Sequence, residues 1–302
     1  MQDFNSLIDL FTAFPDEQSC INHLEHLRWN GVVVSPFDPT SKIYKCKDNK
    51  YRCKNTGKYF NVKTNTLFDS SKIELRKWFA AIWLVTSHKK GISSLQLSRD
   101  IDVTQKTAWF MLQRIRNCFG IENNNNLNNT VEIDETYVGG KNKNRHNSKR
   151  VEGIQGRSVK DKTPVLGMVE RKGKLVAKIV KNTSCEVLTP QIVNFVKDAL
   201  IYTDEWCGYN SIKKLFKHEY VNHRTSEYVR GNVYTNTIEG FWSLLKRGII
   251  GIYHFTSKQH LQRYVDEFAF RYNTRKCTES GRFNLLLRNT EHRLTYKELI
   301  YG

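Results

Sequence analysis

The sequence has no long apolar run, and this absence argues against a membrane-spanning helix. A span needs about 20 consecutive apolar residues, whereas the best run, Trp78 to Thr86, is about half as long and contains a threonine. The segment MQDFNSLIDLF also lacks the basic region and the small-residue cleavage site of a secretory signal. We therefore expect a protein that stays inside the cell and does not enter a membrane.

Cysteines and acidic residues are both scarce. The 302 residues include 7 cysteines, an odd number, which argues against a disulfide framework. The sequence has 30 Asp and Glu residues but 48 Lys and Arg residues, so the formal net charge is +18. A charge of this size attracts polyanions, of which nucleic acid is the commonest. The alternative is a solvated basic surface on an unrelated enzyme.

Four segments differ in their residue patterns. The apolar share of 39% and the aromatic share of 12% are sufficient for folded domains. Residues 1–70 have the alternation and turn residues of short hairpins, and residues 71–121 have helical periodicity. Residues 122–129 are polar and low in complexity, and residues 130–302 mix strand and helix patterns. We predict a small β domain, a helical domain, a linker and an α/β domain.

The helical segment contains a pattern typical of a helix-turn-helix. Ser93 or Ser94 can cap a short helix, a turn follows at Asp102-Val103, and Thr104 can cap a second helix. The predicted inward face of this second helix carries Ala108, Met111, Leu112 and Ile115. Its predicted DNA contacts are Gln105, Lys106, Thr107 and Arg114. A plain packed hairpin has the same pattern, and the positive charge favours DNA binding.

Three segments of the α/β part carry candidate metal ligands. Asp134 lies at the centre of the strand pattern TVEIDETYV, and Asp204 ends the strand pattern LIYTD. The helix that begins with TNTIEG places Asn236 and Glu239 on one face. Two strand carboxylates and a third ligand from a later helix can hold two Mg²⁺ ions for displacement at phosphorus. The neighbouring Glu135 is expected to point to the opposite face of the strand.

The segments VEIDETYVGG, YTDEWCGY, NTIEGFWSLLKRGIIGIYH and HLQRYVDEFAFRYNTR resemble transposases of bacterial insertion sequences related to the eukaryotic Merlin elements. The resemblance covers about residues 20–290. It implies a DDE-type transposase with a zinc ribbon, a helix-turn-helix and a ribonuclease H-like domain, which is a mixed α/β sheet flanked by helices. It also implies that Asp134 and Asp204 are catalytic aspartates that bind two Mg²⁺ or Mn²⁺ ions per active site.

The same resemblance places the third catalytic residue between Asn236 and Glu239. Family members have either Asn or Glu as this residue, and both occur here. We favour Glu239 as the metal ligand because a carboxylate binds Mg²⁺ more strongly than an amide. Asn236 is then an auxiliary catalytic ligand or a capping residue.

The N-terminal segment departs from the family pattern. A zinc ribbon closes a tetrahedral site with two Cys-x-x-Cys pairs. Here the residues from Ser35 to Asp38 replace one pair, and those from Cys53 to Thr56 keep one thiol of the other. The spacing of Cys46 and Cys53 is poor for zinc. We therefore predict a ribbon-shaped domain without structural zinc.

Basic residues surround the predicted active site. For the segment from Lys141 to Lys162, which follows the first catalytic strand, we favour phosphate binding over an ordinary solvated insertion. Lys246 follows Glu239 by two helical turns on the same face, whereas Trp242 is expected to pack in the core. The predicted DNA contacts in this part are Lys141, Lys143, Arg145, Lys149, Arg150, Lys246, Arg247 and His254.

Together, these features predict a transposase that binds double-stranded DNA at the inverted-repeat ends of its element. It is expected to cleave phosphodiester bonds and to join 3′-hydroxyl ends to target DNA, as a homodimer or a higher oligomer on DNA. The expected location is the cytoplasm, in association with the nucleoid, or the nucleus if the host is eukaryotic.

Two alternatives remain open at the level of sequence. A domesticated transposase would act only as a sequence-specific DNA-binding protein. A tyrosine recombinase would use Tyr296 with the His-x-x-Arg pattern of His260 and Arg263. This second alternative leaves the strand aspartates unexplained.

Overall fold

The computed structural model describes residues 4–140, 142–144, 146–150, 158 and 160–301. These residues form two compact units. The first unit consists of the described residues up to Phe119 together with those from Lys276 onward, and the second runs from Gly120 to Arg275. Within the part of the chain that is described, no helix is long and apolar enough to cross a membrane.

The first unit combines helices with a small antiparallel sheet of three strands. Its strands are β1 (Ile43–Lys45), β2 (Tyr51–Cys53) and β3 (Tyr59–Phe60), in the order β1-β2-β3. Its first five helices are α1 (Leu7–Ala13), α2 (Glu17–Trp29), α3 (Leu75–Ser87), α4 (Ser94–Asp100) and α5 (Gln105–Arg116).

The apolar face of α3 forms the centre of the first unit's core. Leu75, Trp78, Phe79, Ile82 and Trp83 are all buried. Their spacing of three and four residues places them on one side of the helix. Burial of each such side chain contributes roughly 1.5–3 kcal/mol. The pattern seen in the sequence therefore accounts for the position of this helix.

A five-stranded mixed sheet forms the centre of the second unit. Its strands are β4 (Leu127–Val138), β5 (Thr163–Glu170), β6 (Leu175–Ile179), β7 (Val196–Thr203) and β8 (Lys217–Tyr220). The strand order is β6-β5-β4-β7-β8. Strand β5 is antiparallel to both β6 and β4, whereas β7 runs parallel to both β4 and β8. The predicted mixed α/β sheet flanked by helices is confirmed.

Helices cover both faces of this sheet. Val131 and Ile133 of β4 pack in one core with α6 (Cys185–Phe195). Val138 of the same strand packs in a second core with α7 (Asn236–Gly248) and α8 (Leu261–Asn273). Short 3₁₀ helices span Phe119–Asn123, Asn142–Asn144, Asn147–Lys149, Cys207–Lys214 and His223–Thr225, and a π-helix spans Ile249–Tyr253.

The prediction of a linker over residues 122–129 is corrected by the structure. The side chain of Asn123 is fully buried, and its amide donates to the Ala177 carbonyl at 2.6 Å and to Asp266 Oδ1 at 2.7 Å. Strand β4 already begins at Leu127. A run of asparagines has the composition of a linker, but here one of them satisfies buried polar groups of β6 and α8.

The predicted catalytic domain from residue 130 to residue 302 is also corrected. From Lys276 onward the chain belongs to the first unit, where it forms α9 (Glu279–Arg288) and α10 (Tyr296–Tyr301). The Phe283 ring lies 5.4 Å from the Phe79 ring, and Leu67 N–H donates to the Thr290 carbonyl at 2.8 Å. The predicted domain boundary near residue 70 is also corrected, because it lies inside the first unit. Leu67, before this boundary, and Phe79, after it, both contact the C-terminal segment.

Candidate active site

Asp134 lies on the face of β4 that α7 covers. The Trp242 indole N–H donates to Asp134 Oδ2 at 3.0 Å. The neighbouring Glu135 points to the other face, as predicted, where it accepts the Tyr209 hydroxyl at 2.6 Å. This separation follows from the alternation of side chains along a strand. Trp242 is also buried in the core, as predicted, but its hydrogen bond to Asp134 was not expected from the sequence.

Gly167 makes room for this indole ring. It pairs with Asp134 across β4 and β5. A Cβ atom added at Gly167 would lie 2.6 Å from Trp242 Cη2 and 2.7 Å from Ile238 Cδ1. Because such distances are shorter than any normal contact, a side chain at this position would displace the ring that binds Asp134.

Asp204 directly follows β7 and is 7% exposed. Strand β7 is parallel to β4, and Glu132 pairs with Tyr202. Two residues further along each strand, this register brings Asp134 and Asp204 to the same level of the sheet. One Asp204 carboxylate oxygen accepts the Trp206 N–H at 3.0 Å. The structure therefore brings the two predicted aspartates together.

The site is negatively charged and largely desolvated. Burial raises the pKa of Asp134 to about 8, and the negative charges of Glu135 and Asp204 act in the same direction. Hydrogen bonds from the Glu135 backbone and from Trp242 lower this pKa only in part. A nearby cation would favour the charged carboxylate. Carboxylate oxygens are the ligands that hard divalent cations prefer.

Glu132, two residues before Asp134 on the same strand face, binds the first turn of α7. Its side chain is fully buried. The N–H groups of Thr237 and Ile238 donate to Glu132 Oε2 at 2.8 and 3.2 Å, and the Thr237 hydroxyl donates to Oε1 at 2.8 Å. The first N–H groups of a helix have no partner within the helix and carry partial positive charge. Glu132 therefore fixes the start of α7 against the strand that carries Asp134.

Arg171 completes this arrangement from the turn after β5. Its Nε donates to Glu132 Oε1 at 2.7 Å. Its Nη1 and Nη2 donate to the carbonyls of Asn232 and Tyr234 at 2.7 and 2.9 Å. The guanidinium carbon lies 3.6 Å from the centre of the Tyr234 ring. One arginine thus joins the buried Glu132 to the chain that leads into α7.

The roles of Glu132 and Arg171 were not expected from the sequence. A signal was present, because Glu132 and Asp134 both lie on the same face of a strand pattern that is otherwise apolar or β-branched. A buried carboxylate requires a charged partner or several hydrogen bonds. The partner could not be identified from the sequence because Arg171 is 39 residues away.

Glu239 and Asn236 lie in the first turn of α7, and both are exposed. The Glu239 side chain is 49% exposed, and its Oε1 accepts the Thr235 hydroxyl at 3.0 Å and lies 3.9 Å from His223 Nε2. Among the residues that the structure describes, no three His, Cys, Asp or Glu side chains are close enough together to hold a metal ion. The structure therefore pairs the two aspartates without bringing Glu239 into the same cluster.

Comparisons with known proteins match the part of the chain that contains this sheet. Residues 126–273 match the model of the ISXO2-like transposase domain. An uncharacterized protein in transposable element ISH50 of Halobacterium salinarum is 30% identical over 276 residues, which cover 86% of this chain and 92% of that protein. The chain belongs to the ISXO2-like transposase family.

Solved structures similar to this transposase include a simian T-cell lymphotropic virus intasome in complex with the PP2A regulatory subunit B56 gamma. The identity is 14% and the TM-score is 0.29. The match covers 60% of this chain and 65%, less than two thirds, of the intasome chain. The Mos1 strand transfer complex matches 72% of this chain and 78% of its own at 10% identity, with a TM-score of 0.29. The match to a pre-cleavage Mos1 transpososome covers 95% of this chain and 97% of the Mos1 chain, at 12% identity and with a TM-score of 0.27.

In the first unit of the transposase, the predicted pair of helices is present. Ser93 Oγ accepts the Gln96 N–H at the start of α4, and Thr104 Oγ1 accepts the Thr107 N–H at the start of α5. Asp102 in the turn has a φ of 50°, a left-handed conformation that Asp tolerates. The inward face of α5 is buried as predicted, at Ala108, Met111, Leu112 and Ile115.

The predicted DNA contacts of α5 differ in their surroundings. Gln105 and Lys106 are exposed, and Thr107 is half-buried, in the first turn. Arg114 is 4% exposed, and its guanidinium donates to the Leu294 carbonyl at 2.9 Å and to the Asp69 carbonyl at 2.7 Å. The prediction that Arg114 contacts DNA is therefore wrong, because this side chain binds buried carbonyl groups within the first unit.

The structure describes only some of the basic residues that were predicted to contact DNA near the acidic site. Lys141 and Arg145, and the side chains of Lys143 and Lys149, lie outside the described residues. The described members of this predicted set are all exposed: Arg150, Lys246, Arg247 and His254. His254 has a φ of 58° and places its Nδ1 3.0 Å from the Ile250 carbonyl oxygen.

Hydroxyl groups surround the Cys53 thiol of the three-stranded sheet. The hydroxyls of Ser41, Thr56 and Ser35 are hydrogen-bonding neighbours of the Cys53 thiol. Ser35 Oγ accepts the N–H groups of Phe37 and Asp38 at 3.1 and 3.4 Å. Hydroxyl groups are poor zinc ligands compared with thiolates. The absence of structural zinc stays a prediction.

Proposed function

We propose that this member of the ISXO2-like family is an active DNA transposase. Its reaction is cleavage at the ends of its element, followed by attack of the exposed 3′-hydroxyl on target DNA. The observation that carries this proposal is the juxtaposition of Asp134 and Asp204 at adjacent parallel strands, on a sheet with ribonuclease H-like strand order. No covalent enzyme intermediate is part of the proposal.

The residues fit divalent cations. Asp134 and Asp204 offer oxygen ligands in a desolvated place, where negative charge is otherwise unfavourable. We propose that they hold Mg²⁺ or Mn²⁺, with Glu239 as the third ligand and Asn236 as an auxiliary one. When bound, two such ions activate the attacking water or hydroxyl and offset the charge on the leaving oxygen.

The chain's own residues orient this site. The Trp242 N–H holds one oxygen of Asp134. Glu132 and Arg171 hold the start of α7, the turn that presents Asn236 and Glu239. Lys246 and Arg247, exposed further along α7, are proposed to bind DNA phosphates.

The expected partner is double-stranded DNA, at the element ends and at the target. The net charge of +18 favours the binding of two DNA segments that repel one another. We propose a homodimer or a higher oligomer on DNA, because two element ends must be held together for joining. In a bacterial host this assembly would be associated with the nucleoid.

A cleavage assay tests the proposal. The protein is incubated with a labelled duplex that carries the element's terminal repeat and flanking DNA, in Mg²⁺ or in EDTA. We expect nicked and joined products in Mg²⁺, none in EDTA, and no covalent protein–DNA adduct in either. Specific binding without cleavage in Mg²⁺ and Mn²⁺ would instead support a DNA-binding protein alone, and an adduct in EDTA would support a tyrosine nucleophile.

The third ligand can be identified by comparing two substitutions on α7. Glu239→Gln removes a negative charge and is expected to lower the cleavage rate by more than about 100-fold, which exceeds the usual effect of an outer-shell change. Asn236→Ala is expected to lower it by about 10-fold. Both rates are measured on the same terminal-repeat duplex. The reverse order of effects would assign the third position to Asn236.

A further inference from the structure

The last residues of the chain pack beside α5. Arg114 donates to the Leu294 carbonyl, and Leu294 and Leu299 are buried. The Tyr296 ring lies 5.6 Å from the Phe110 ring, and Lys106 Nζ lies 5.5 Å from the centre of the Tyr296 ring. Because these contacts involve the first two turns of α5 as well as its buried Arg114, the C-terminal segment lies directly beside the exposed first turn.

A cavity of about 300 Å³ opens along this junction. Thr107 and Phe110 of α5 line it, together with Lys72, Arg293 and Tyr296. Among the described residues that line it, Lys72, Arg114 and Arg293 carry positive charge and none carries negative charge. Lys72 and Arg293 are both exposed. The cavity is therefore an electropositive surface within one unit.

Two carboxylates lie close to this surface. Glu298 is exposed, accepts the Thr295 N–H and hydroxyl at 2.7 and 2.8 Å, and interacts electrostatically with Arg293. Asp69 Oδ2 lies 3.9 Å from Arg293 Nε and accepts the Asn65 N–H at 2.7 Å. At that distance, the ion pair between an exposed arginine and Asp69 contributes little. The guanidinium of Arg293 consequently remains available to an external anion.

We infer that Lys72, Lys106, Arg293 and Tyr296, here called the tail surface, bind the sugar–phosphate backbone of the DNA duplex whose groove receives α5. The inference rests on the proposed function and on the prediction from sequence that α5 is the DNA-contacting helix of a helix-turn-helix, which lies in the major groove. That groove is about 12 Å wide, so a surface beside the recognition helix meets the phosphates along its edge. Lys, Arg and Tyr side chains are common donors to phosphate oxygens.

The tail surface also gives the C-terminal segment a function. The sequence assigns this segment to the catalytic part, yet in the structure it belongs to the first unit. Contacts to phosphate determine the position of a protein on the duplex without reading sequence. The tail surface is therefore expected to strengthen binding to every duplex and to orient α5 on the element end.

The experiment measures equilibrium binding of the full-length protein in EDTA, by fluorescence anisotropy over a range of NaCl concentrations. It uses the terminal-repeat duplex and an unrelated duplex of equal length. For Lys72→Ala/Arg293→Ala, the slope of log K against log salt is expected to fall by about 2 on both duplexes, since each lost phosphate contact removes about 1. The charge-preserving control Lys72→Arg/Arg293→Lys is expected to keep the wild-type slope.

An unchanged slope in the double alanine variant, with the wild-type melting temperature retained, would overturn the inference. A slope that falls equally in the charge-preserving control would also overturn it, because the loss would then not follow charge. Failure of the proposed function has a different signature. In that case, the wild-type protein does not cleave the terminal-repeat duplex in Mg²⁺ or Mn²⁺, while the comparison of slopes in EDTA remains readable on both duplexes.

Discussion

Replacing Glu132 by alanine is expected to destabilise the second unit by about 3–5 kcal/mol and to lower its melting temperature by on the order of 10 °C. The substitution leaves Arg171, whose side chain is 18% exposed, without its carboxylate. It also removes the acceptor for the N–H groups of Thr237 and Ile238. Thermal unfolding followed by circular dichroism measures the change. DNA cleavage is expected to be lost at temperatures where the variant remains folded, because the first turn of α7 is no longer fixed.

Two further variants separate charge from hydrogen bonding at this position. Glu132→Gln keeps an oxygen acceptor and is expected to fall between the wild type and the alanine variant. Glu170→Gln changes a half-buried carboxylate on the neighbouring strand, which accepts the Asn129 amide at 2.8 Å, and is expected to leave cleavage unchanged. A Glu132→Ala protein with the wild-type melting temperature and cleavage rate would show that α7 does not depend on this carboxylate.

Replacing Asp134 by asparagine is expected to lower DNA cleavage and joining by far more than about 100-fold, the upper range for residues that only support a ligand. The substitution keeps the size of the side chain and an acceptor for Trp242, so the fold is expected to be retained. It removes one of two adjacent carboxylates and thereby weakens cation binding. The measurement is single-turnover cleavage of the terminal-repeat duplex in saturating Mg²⁺.

The control for this variant is binding of the same duplex in EDTA. End binding by Asp134→Asn is expected to equal that of the wild type, since α5 and the tail surface belong to the first unit. Cleavage within about 10-fold of the wild-type rate would remove Asp134 from the catalytic site.

Local patterns in the sequence predicted elements of both units. The apolar spacing in α3, the caps at Ser93 and Thr104, and the β-branched run around Asp134 are each set by residues close together in the chain. The faces of β4 also followed from alternation, because Glu135 and Asp134 have partners on opposite sides of the sheet.

Long-range partners could not be predicted in the same way. Arg114 was assigned to DNA from its charge, although it lies three residues after Met111 and therefore on the buried side of α5. The carbonyls that it binds include that of Leu294, which is 180 residues away. Likewise, the composition of residues 122–129 gave no sign that Asn123 bonds to Ala177 and Asp266. Such residues have polar side chains whose position depends on tertiary contacts.

We propose that Asp134 and Asp204 together hold the catalytic cations. The most direct measurement is a titration of Mn²⁺ into the complex of the protein with its terminal-repeat duplex, followed by the electron paramagnetic resonance signal of free Mn²⁺. We expect that Asp134→Asn and Asp204→Asn each weaken the tightest Mn²⁺ binding by at least about 10-fold, whereas Glu170→Gln does not. Wild-type Mn²⁺ affinity in both aspartate variants would contradict it.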